Sequence, residues 1–290
     1  MNEYVIVTDS TADLPMSLVK KYDLRIVPMM FSVDGVEYPG YVEGEELDYP
    51  SFYAKMRGGA DVSTSLIDFK ICTNVFEDIL KTGKDVLYIG FSSGLSGSYN
   101  LAKMISEQLE EKYPDRKVIA VDSLCASLGE GMLVYNAALE KEKGRSIEDV
   151  AKWVEDERLH LCHWFTVDDL FHLKKGGRVS TTKAIVGTML GIKPVLHVDD
   201  EGKLIPIMNA RGRKRSLEAL ADKMMQTCIH PEDQVVFISH GDCSEDALVL
   251  EKIIREKMNV KDVVINYIGP VIGSHSGPGT VALFFFGNTR

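Results

Sequence analysis

Short apolar runs alternate with helix-spaced apolar positions along the first half of the chain. Tyr4 to Val7, Leu24 to Phe31, Asp85 to Phe91 and Lys117 to Val121 read as strands. Helical spacing runs through Leu18 to Tyr22 and from Phe69 to Leu80. It recurs from Tyr99 through Leu101, Met104, Ile105 and Leu109, and again through Leu133, Val134 and Ala137. Alternating strands and helices predict a mostly parallel sheet. Val33-Asp34-Gly35-Val36 predicts a turn. Residues 39–62, rich in Gly, Glu and Asp, predict a surface excursion.

The second half changes character. Arg145 to Glu157 reads as a polar connecting helix. Val167 to Lys175 reads as a helix stopped by Gly176-Gly177, and Thr182 to Leu190 as another. Lys193 to Val198 and Lys203 to Met208 flank Asp199-Asp200-Glu201-Gly202, a hairpin signal. Leu217 to Thr227 and Glu245 to Lys257 predict helices. Val235 to Ser239, Val263 to Ile268 and Val281 to Phe286 predict strands, the last preceded by a glycine-rich loop. The expected architecture is α/β in two domains. Residues 1–155 form an N-terminal, Rossmann-like α/β domain on a parallel sheet, and residues 156–290 a C-terminal α+β domain with a mixed sheet.

Length and charge narrow the function classes. A chain of 290 residues exceeds one compact core. A net charge of −10 argues against nucleic acid and leaves at most transient contact with a membrane. The N-terminus leads straight into a strand, so no signal peptide is expected, and no apolar run is long enough to span a bilayer. The five cysteines are odd in number and lack CxxC spacing, which suits reduced thiols in the cytoplasm.

The densest chemical signal is Ser92-Ser93-Gly94-Leu95-Ser96-Gly97-Ser98, set between a strand and a helix. Free N–H groups at a helix start, with several hydroxyls and no lysine, suit a single carboxylate or phosphate. The loop misses the G-x-S-x-G nucleophile elbow because Ser98 stands where Gly is required. Asp9-Ser10-Thr11 lacks the second aspartate of an aspartyl phosphatase, so Asp9 reads as a cap or switch-point residue. Asp122-Ser123 reads the same way. His275, in Gly273-Ser274-His275-Ser276-Gly277-Pro278-Gly279, can donate to an anion. His240-Gly241-Asp242 is a weaker candidate. No His, Cys and carboxylate set has metal-ligand spacing, so no metal is expected. Lys174-Lys175-Gly176-Gly177-Arg178 and Arg211-Gly212-Arg213-Lys214-Arg215 concentrate positive charge on an acidic chain. They read as a solvated face or as a dock for an acidic partner.

Taken in order, several segments resemble the DegV family across nearly the whole chain. They are Val7-Thr8-Asp9-Ser10-Thr11-Ala12-Asp13-Leu14-Pro15, Thr64-Ser65, the Ser92 to Tyr99 loop and Asp122-Ser123. Leu173-Lys174-Lys175-Gly176-Gly177-Arg178-Val179-Ser180, Gly191-Ile192-Lys193-Pro194-Val195-Leu196 and Ile272 to Gly279 complete the set. The resemblance implies a fatty acid held between two domains. It implies a non-catalytic subunit of a bacterial fatty acid kinase, which serves phospholipid synthesis by presenting the carboxylate to a separate ATP-binding kinase subunit. It carries carboxylate binding onto Thr64, Ser96 and His275, with Arg178 joining them or facing the kinase. Ser65, Ser93, Gly97, Ser274, Phe165, Phe171, Ile185 and Met189 are further pocket candidates, and Val186 and Leu190 candidate walls. Lys174, Arg178, Arg211, Arg213 and Arg215 are candidates for docking the kinase. No cofactor is expected beyond the bound fatty acid. The chain departs from the family's Thr-Ser-Gln-Pro-Ser at Leu66-Ile67-Asp68. The competing expectation is a hydrolase or phosphatase acting on a small anion at the same cleft.

Overall fold

The computed structural model describes residues 3–168, 170–179 and 191–290. In chain order, its elements begin with β1 (Tyr4–Asp9), α1 (Met16–Lys21), β2 (Arg25–Val27), β3 (Met29–Val33), β4 (Val36–Pro39), α2 (Tyr49–Arg57), β5 (Val62–Ile67) and α3 (Phe69–Leu80). Next come β6 (Asp85–Gly90), α4 (Ser98–Lys112), β7 (Val118–Asp122), α5 (Leu128–Glu142), α6 (Ile147–Glu157), β8 (Leu161–Thr166) and α7 (Phe171–Lys175). After the undescribed segment follow β9 (Ile192–Val198), β10 (Leu204–Arg211), α8 (Arg213–Thr227), β11 (Val235–His240), α9 (Ser244–Lys257), β12 (Asp262–Tyr267), α10 (Pro270–Ser276) and β13 (Val281–Phe286).

Helices separate and flank two larger sheets. The first is parallel, ordered β2-β1-β6-β7. Its strands are apolar on both faces because both are covered. Val5 and Val7 of β1 pack with Phe76 of α3 and with Ala102 and Ile105 of α4, while Tyr4 and Ile6 face Met132, Leu133 and Val150 of α5 and α6. The second sheet is mixed, ordered β10-β9-β8-β13-β11-β12. Its Phe165, Leu196, Phe237, Ala282 and Phe284 join the same cluster as α5, so that helix lies between the sheets. Its other face packs Trp164, Ile238 and Leu283 against Leu217 and Leu220 of α8 and Leu250 and Ile254 of α9. A smaller antiparallel sheet, β4-β3-β5, packs on α2.

Several elements differ from the sequence reading. The run Leu24 to Phe31 divides at Pro28. Val27 ends a strand paired with β1, and Met29 starts one in the small sheet. Proline has no N–H to continue a ladder. The excursion at 39–62 contains α2, capped by the Asp48 carboxylate accepting the Ser51 N–H, and it buries Phe52, Tyr53 and Met56. The "polar" helix α6 buries Ile147, Val150, Ala151 and Val154 on one stripe. Leu161 to Thr166, unread in the sequence, is the interior strand β8, and the helix expected over Val167 to Lys175 is confined to Phe171–Lys175. Residues 270–276 form α10, started by Pro270 and ended at Gly277 with a φ of 83°. The expected helix at 182–190 lies outside the described residues.

Candidate functional site

The parallel sheet reverses its winding between β1 and β6, where the carboxyl ends of the strands open a crevice. Two acids from the flanking strands fix the loop after β6. Asp9 accepts the Phe91 N–H at 3.2 Å, and Asp122 accepts the Ser93 N–H at 3.2 Å. Asp9 also accepts from the Thr11 N–H, the Thr11 hydroxyl and the Tyr88 hydroxyl, and it is fully buried. Both its oxygens are thus committed to structure, as the capping reading expects. The Thr8 hydroxyl donates to Glu130, whose carboxyl burial pushes well up, and the Thr11 hydroxyl, its one proton given to Asp9, lies 2.9 Å from Glu130 Oε2. Asp122 accepts the Leu124 N–H, and the Ser123 hydroxyl accepts the Cys125 N–H, closing a turn.

The loop is also gripped from the other sheet. The Ser92 hydroxyl donates to the Gly202 carbonyl at 2.8 Å, in the β9–β10 turn. A Cβ on Gly94 would overlap the Glu201 carbonyl oxygen, so only glycine admits this approach.

A cavity of about 310 Å³ opens beside this loop. Among the described residues, Thr64, Ser65, Ser96, Arg178, His275 and Ser276 supply its polar lining, with Ser127, His163 and Thr280. The Thr64 hydroxyl lies 2.8 Å from His275 Nε2. Arg178 donates through Nε to the Leu95 carbonyl at 3.3 Å and through Nη1 to the Gly176 carbonyl at 2.5 Å. Burial and then the Arg178 charge push the His275 imidazole down to about 4, so it is neutral at physiological pH. A Cβ on Gly176 would overlap His275 Nδ1, so the bare backbone of Gly176 is the seat of the imidazole.

Away from this end the cavity is mainly apolar. Its floor follows β13 and β8: Ala282 lies opposite Phe165 and Phe284 opposite His163, with side chains alternating along each strand. From Thr280 to Phe284 this floor extends about 13 Å at ~3.3 Å per residue. Leu66 also lines the cavity and is 47% exposed, and Met29, Phe91, Val198 and Leu204 close other sides. Burial leaves His163 neutral by pushing it well below its ordinary range.

Other residues singled out in the sequence lie elsewhere. Ser93 and Gly97 are exposed, and neither lines the cavity. The Ser274 hydroxyl donates to the Pro270 carbonyl within α10. Phe171 is 63% exposed and outside the described lining, whereas Phe165 is part of it. Ile185, Val186, Met189 and Leu190 lie outside the described residues. Lys174, Arg211 and Arg215 are exposed. Arg213 is not a free docking cation: it pairs with Asp246 at 2.8 Å and donates to the Gly279 carbonyl, bracing the segment before Thr280. Asp68 caps α3 by accepting the Ile71 N–H. His240 is buried, with Nδ1 accepting the Cys243 N–H.

Sequence reasoning passed over Gly176, Ser276 and His163. A glycine read as a helix stop carries no sign that an imidazole rests on it, and His163 belonged to an unread strand. Among the described residues, exposed His230, Glu232 and Asp233 bring one ligand atom each within 4.8 Å of one another. No described helix is long and apolar enough to cross a membrane.

Among the described residues no Ser–His pair is formed here: the Ser96 hydroxyl bonds Ser98, and His275 bonds Thr64. Thr64, His275 and Arg178 thus lie together in the lining of this cavity.

Comparison with known proteins agrees over the full length. The model of the DegV family, described as uncharacterised proteins, matches residues 3–288. A DegV domain-containing protein of Clostridium perfringens is 47% identical over 290 residues, covering 100% of this chain and 99% of its own. A DegV lipid-binding protein from Thermotoga maritima superposes with a TM-score of 0.88 at 31% identity, covering 99% of each chain. A DegV family protein from Thermus thermophilus, whose structure is described as one of fatty acid binding, gives a TM-score of 0.88 at 29% identity over 99% of this chain and 100% of its own. With its sheets, its crevice loop and its length all accounted for in this way, the chain belongs to the DegV family.

Proposed function

We propose that this protein binds a long-chain fatty acid, carboxylate at the Thr64, Ser96, His275 and Arg178 end and acyl chain along the Ala282, Phe165 and Phe284 floor. The observation that carries the reading is the grouping of Thr64, His275, Arg178 and the Leu95–Ser96 segment through hydrogen bonds and contact, in a cavity lined elsewhere largely by apolar side chains. A buried carboxylate is tolerated only with several hydrogen bonds or an opposite charge. Ser96 supplies a hydroxyl, Arg178 the positive charge, and Thr64 a hydroxyl whose proton is freed for the ligand when neutral His275 donates its Nε2–H to it. Burying an acyl chain of about 16 carbons at ~0.8 kcal/mol per methylene is worth on the order of 10 kcal/mol before association costs. Fatty acid or lipid binding described for the Thermus and Thermotoga relatives supports the assignment.

In this reading residues 1–155 and 156–290 are two domains with the ligand between them. Thr64 and Ser96 come from the first, and Arg178, His275 and Phe284 from the second. The protein is cytoplasmic and not catalytic alone. It presents the carboxylate to a separate ATP-binding kinase subunit, which forms the acyl phosphate. Lys174, Arg178, Arg211 and Arg215 form the docking face.

Protein expressed in bacteria should carry about one fatty acid per chain, released by organic solvent and identified by mass spectrometry. Lipid-free protein that also ignores added long-chain fatty acids in a thermal-shift assay would overturn the reading.

A further inference from the structure

The Ser96 hydroxyl is one link in a hydrogen-bonded chain. Ser96 Oγ accepts the Ser98 N–H at 3.2 Å and lies 3.0 Å from Ser98 Oγ. Ser98 Oγ in turn accepts the Ile67 N–H at 3.3 Å, from the end of β5. Ser98 is fully buried and does not line the cavity, whereas Ser96 does. A hydroxyl has one proton to give and two lone pairs to receive.

We propose that Ser98 is a positioning residue that commits Ser96 to act as a donor toward the ligand. This inference rests on the assignment of Ser96 to the carboxylate. The Ile67 N–H occupies one lone pair of Ser98, and the Ser98 proton goes to Ser96 Oγ. Ser96 then receives two donors, the N–H and the O–H of Ser98. Both its lone pairs are engaged, and its own proton is left to face the cavity.

A carboxylate only accepts hydrogen bonds, so it is matched to this arrangement. A fatty alcohol of the same length both donates and accepts, so either orientation of Ser96 serves it. Ser98 therefore sets a preference for acid over alcohol without touching either. Ile67 takes part through its backbone N–H, which a proline at that position would lack.

The test is titration of wild type, Ser96→Ala, Ser98→Ala and Ser98→Thr with palmitate and with hexadecanol, with thermal unfolding to verify folding. Ser98→Ala should weaken palmitate binding about 3- to 10-fold, the effect of one neutral hydrogen bond. Hexadecanol affinity should change less than about 2-fold, and Ser98→Thr, which keeps the hydroxyl, should restore the acid preference. Equal losses for both ligands, or no loss for the acid, would overturn the positioning role while Ser96→Ala still reported on the carboxylate site. A wild type that binds no palmitate would overturn the fatty-acid reading itself. If Ser98→Ala does not fold, Ser98→Gly supplies the hydroxyl-free comparison under the same criteria.

Discussion

Replacing Gly176 with alanine is the sharpest probe of how the imidazole is held. The backbone at Gly176 is helical, with φ −76° and ψ −7°, so alanine is conformationally allowed there. The obstacle is steric. A Cβ would overlap His275 Nδ1 and stand 3.2 Å from Cε1 and 3.3 Å from Cγ. Restoring ordinary contact requires the ring to retreat by roughly 1 Å. The Thr64 hydroxyl is only 2.8 Å from Nε2 on the far side of the same ring, and a displaced ring loses the bond that turns the Thr64 proton toward the ligand. Loss of one hydrogen bond to a charged group costs roughly 1.5–3 kcal/mol, or about 10- to 150-fold in affinity.

Calorimetric titration with palmitate measures this directly, and Gly177→Ala is the control. Gly177 has a φ of 70° and nothing within reach of a Cβ. Alanine there should cost about 1–2 kcal/mol of stability while sparing affinity. In a His275→Ala background, Gly176→Ala should add nothing, because the two changes act through one ring. Wild-type affinity in Gly176→Ala would refute the idea that His275 is seated on this glycine for binding.

Ser96→Ala and His275→Ala should each weaken palmitate binding about 10- to 150-fold while the fold persists by circular dichroism. Asp13 supplies a pH test. Its carboxyl accepts the Ser127 hydroxyl and the Gly269 N–H, and burial pushes it up to about 8. The folded state therefore keeps a proton that the unfolded chain loses near pH 4, and stability should fall as pH rises from about 4 to about 8. Asp13→Asn, which tolerates the local φ of 51°, should flatten that slope in denaturant titrations. Arg211→Ala with Arg215→Ala should slow acyl-phosphate formation by a reconstituted kinase, most at low salt, and leave palmitate affinity unchanged. Arg213 is left intact because it braces the Gly279 segment.

Much of the scaffold was legible in the sequence. The strand, serine-rich loop and helix from Asp85 to Lys112 were visible because burial on both faces leaves a continuous apolar run, and helical packing leaves a periodic one. Thr64, Ser96, Arg178 and His275 were named from motifs, and the cavity brings all four into its lining. Local patterns could not reveal what depends on partners far along the chain. The division at Pro28 follows from which sheet each half joins, and β8 is strand because β13 and β9 flank it. Arg213 looked like one of several surface cations until Asp246 and Gly279 were placed beside it. Gly176 looked like a helix stop until His275, about a hundred residues later, was packed against it. Sequence alone determined the order of strands, loops and helices that carries the candidate residues. Only the tertiary structure decided which partners those residues meet, as Thr64 meets His275, because partners are neighbours that the sheet order, and not the chain order, makes adjacent.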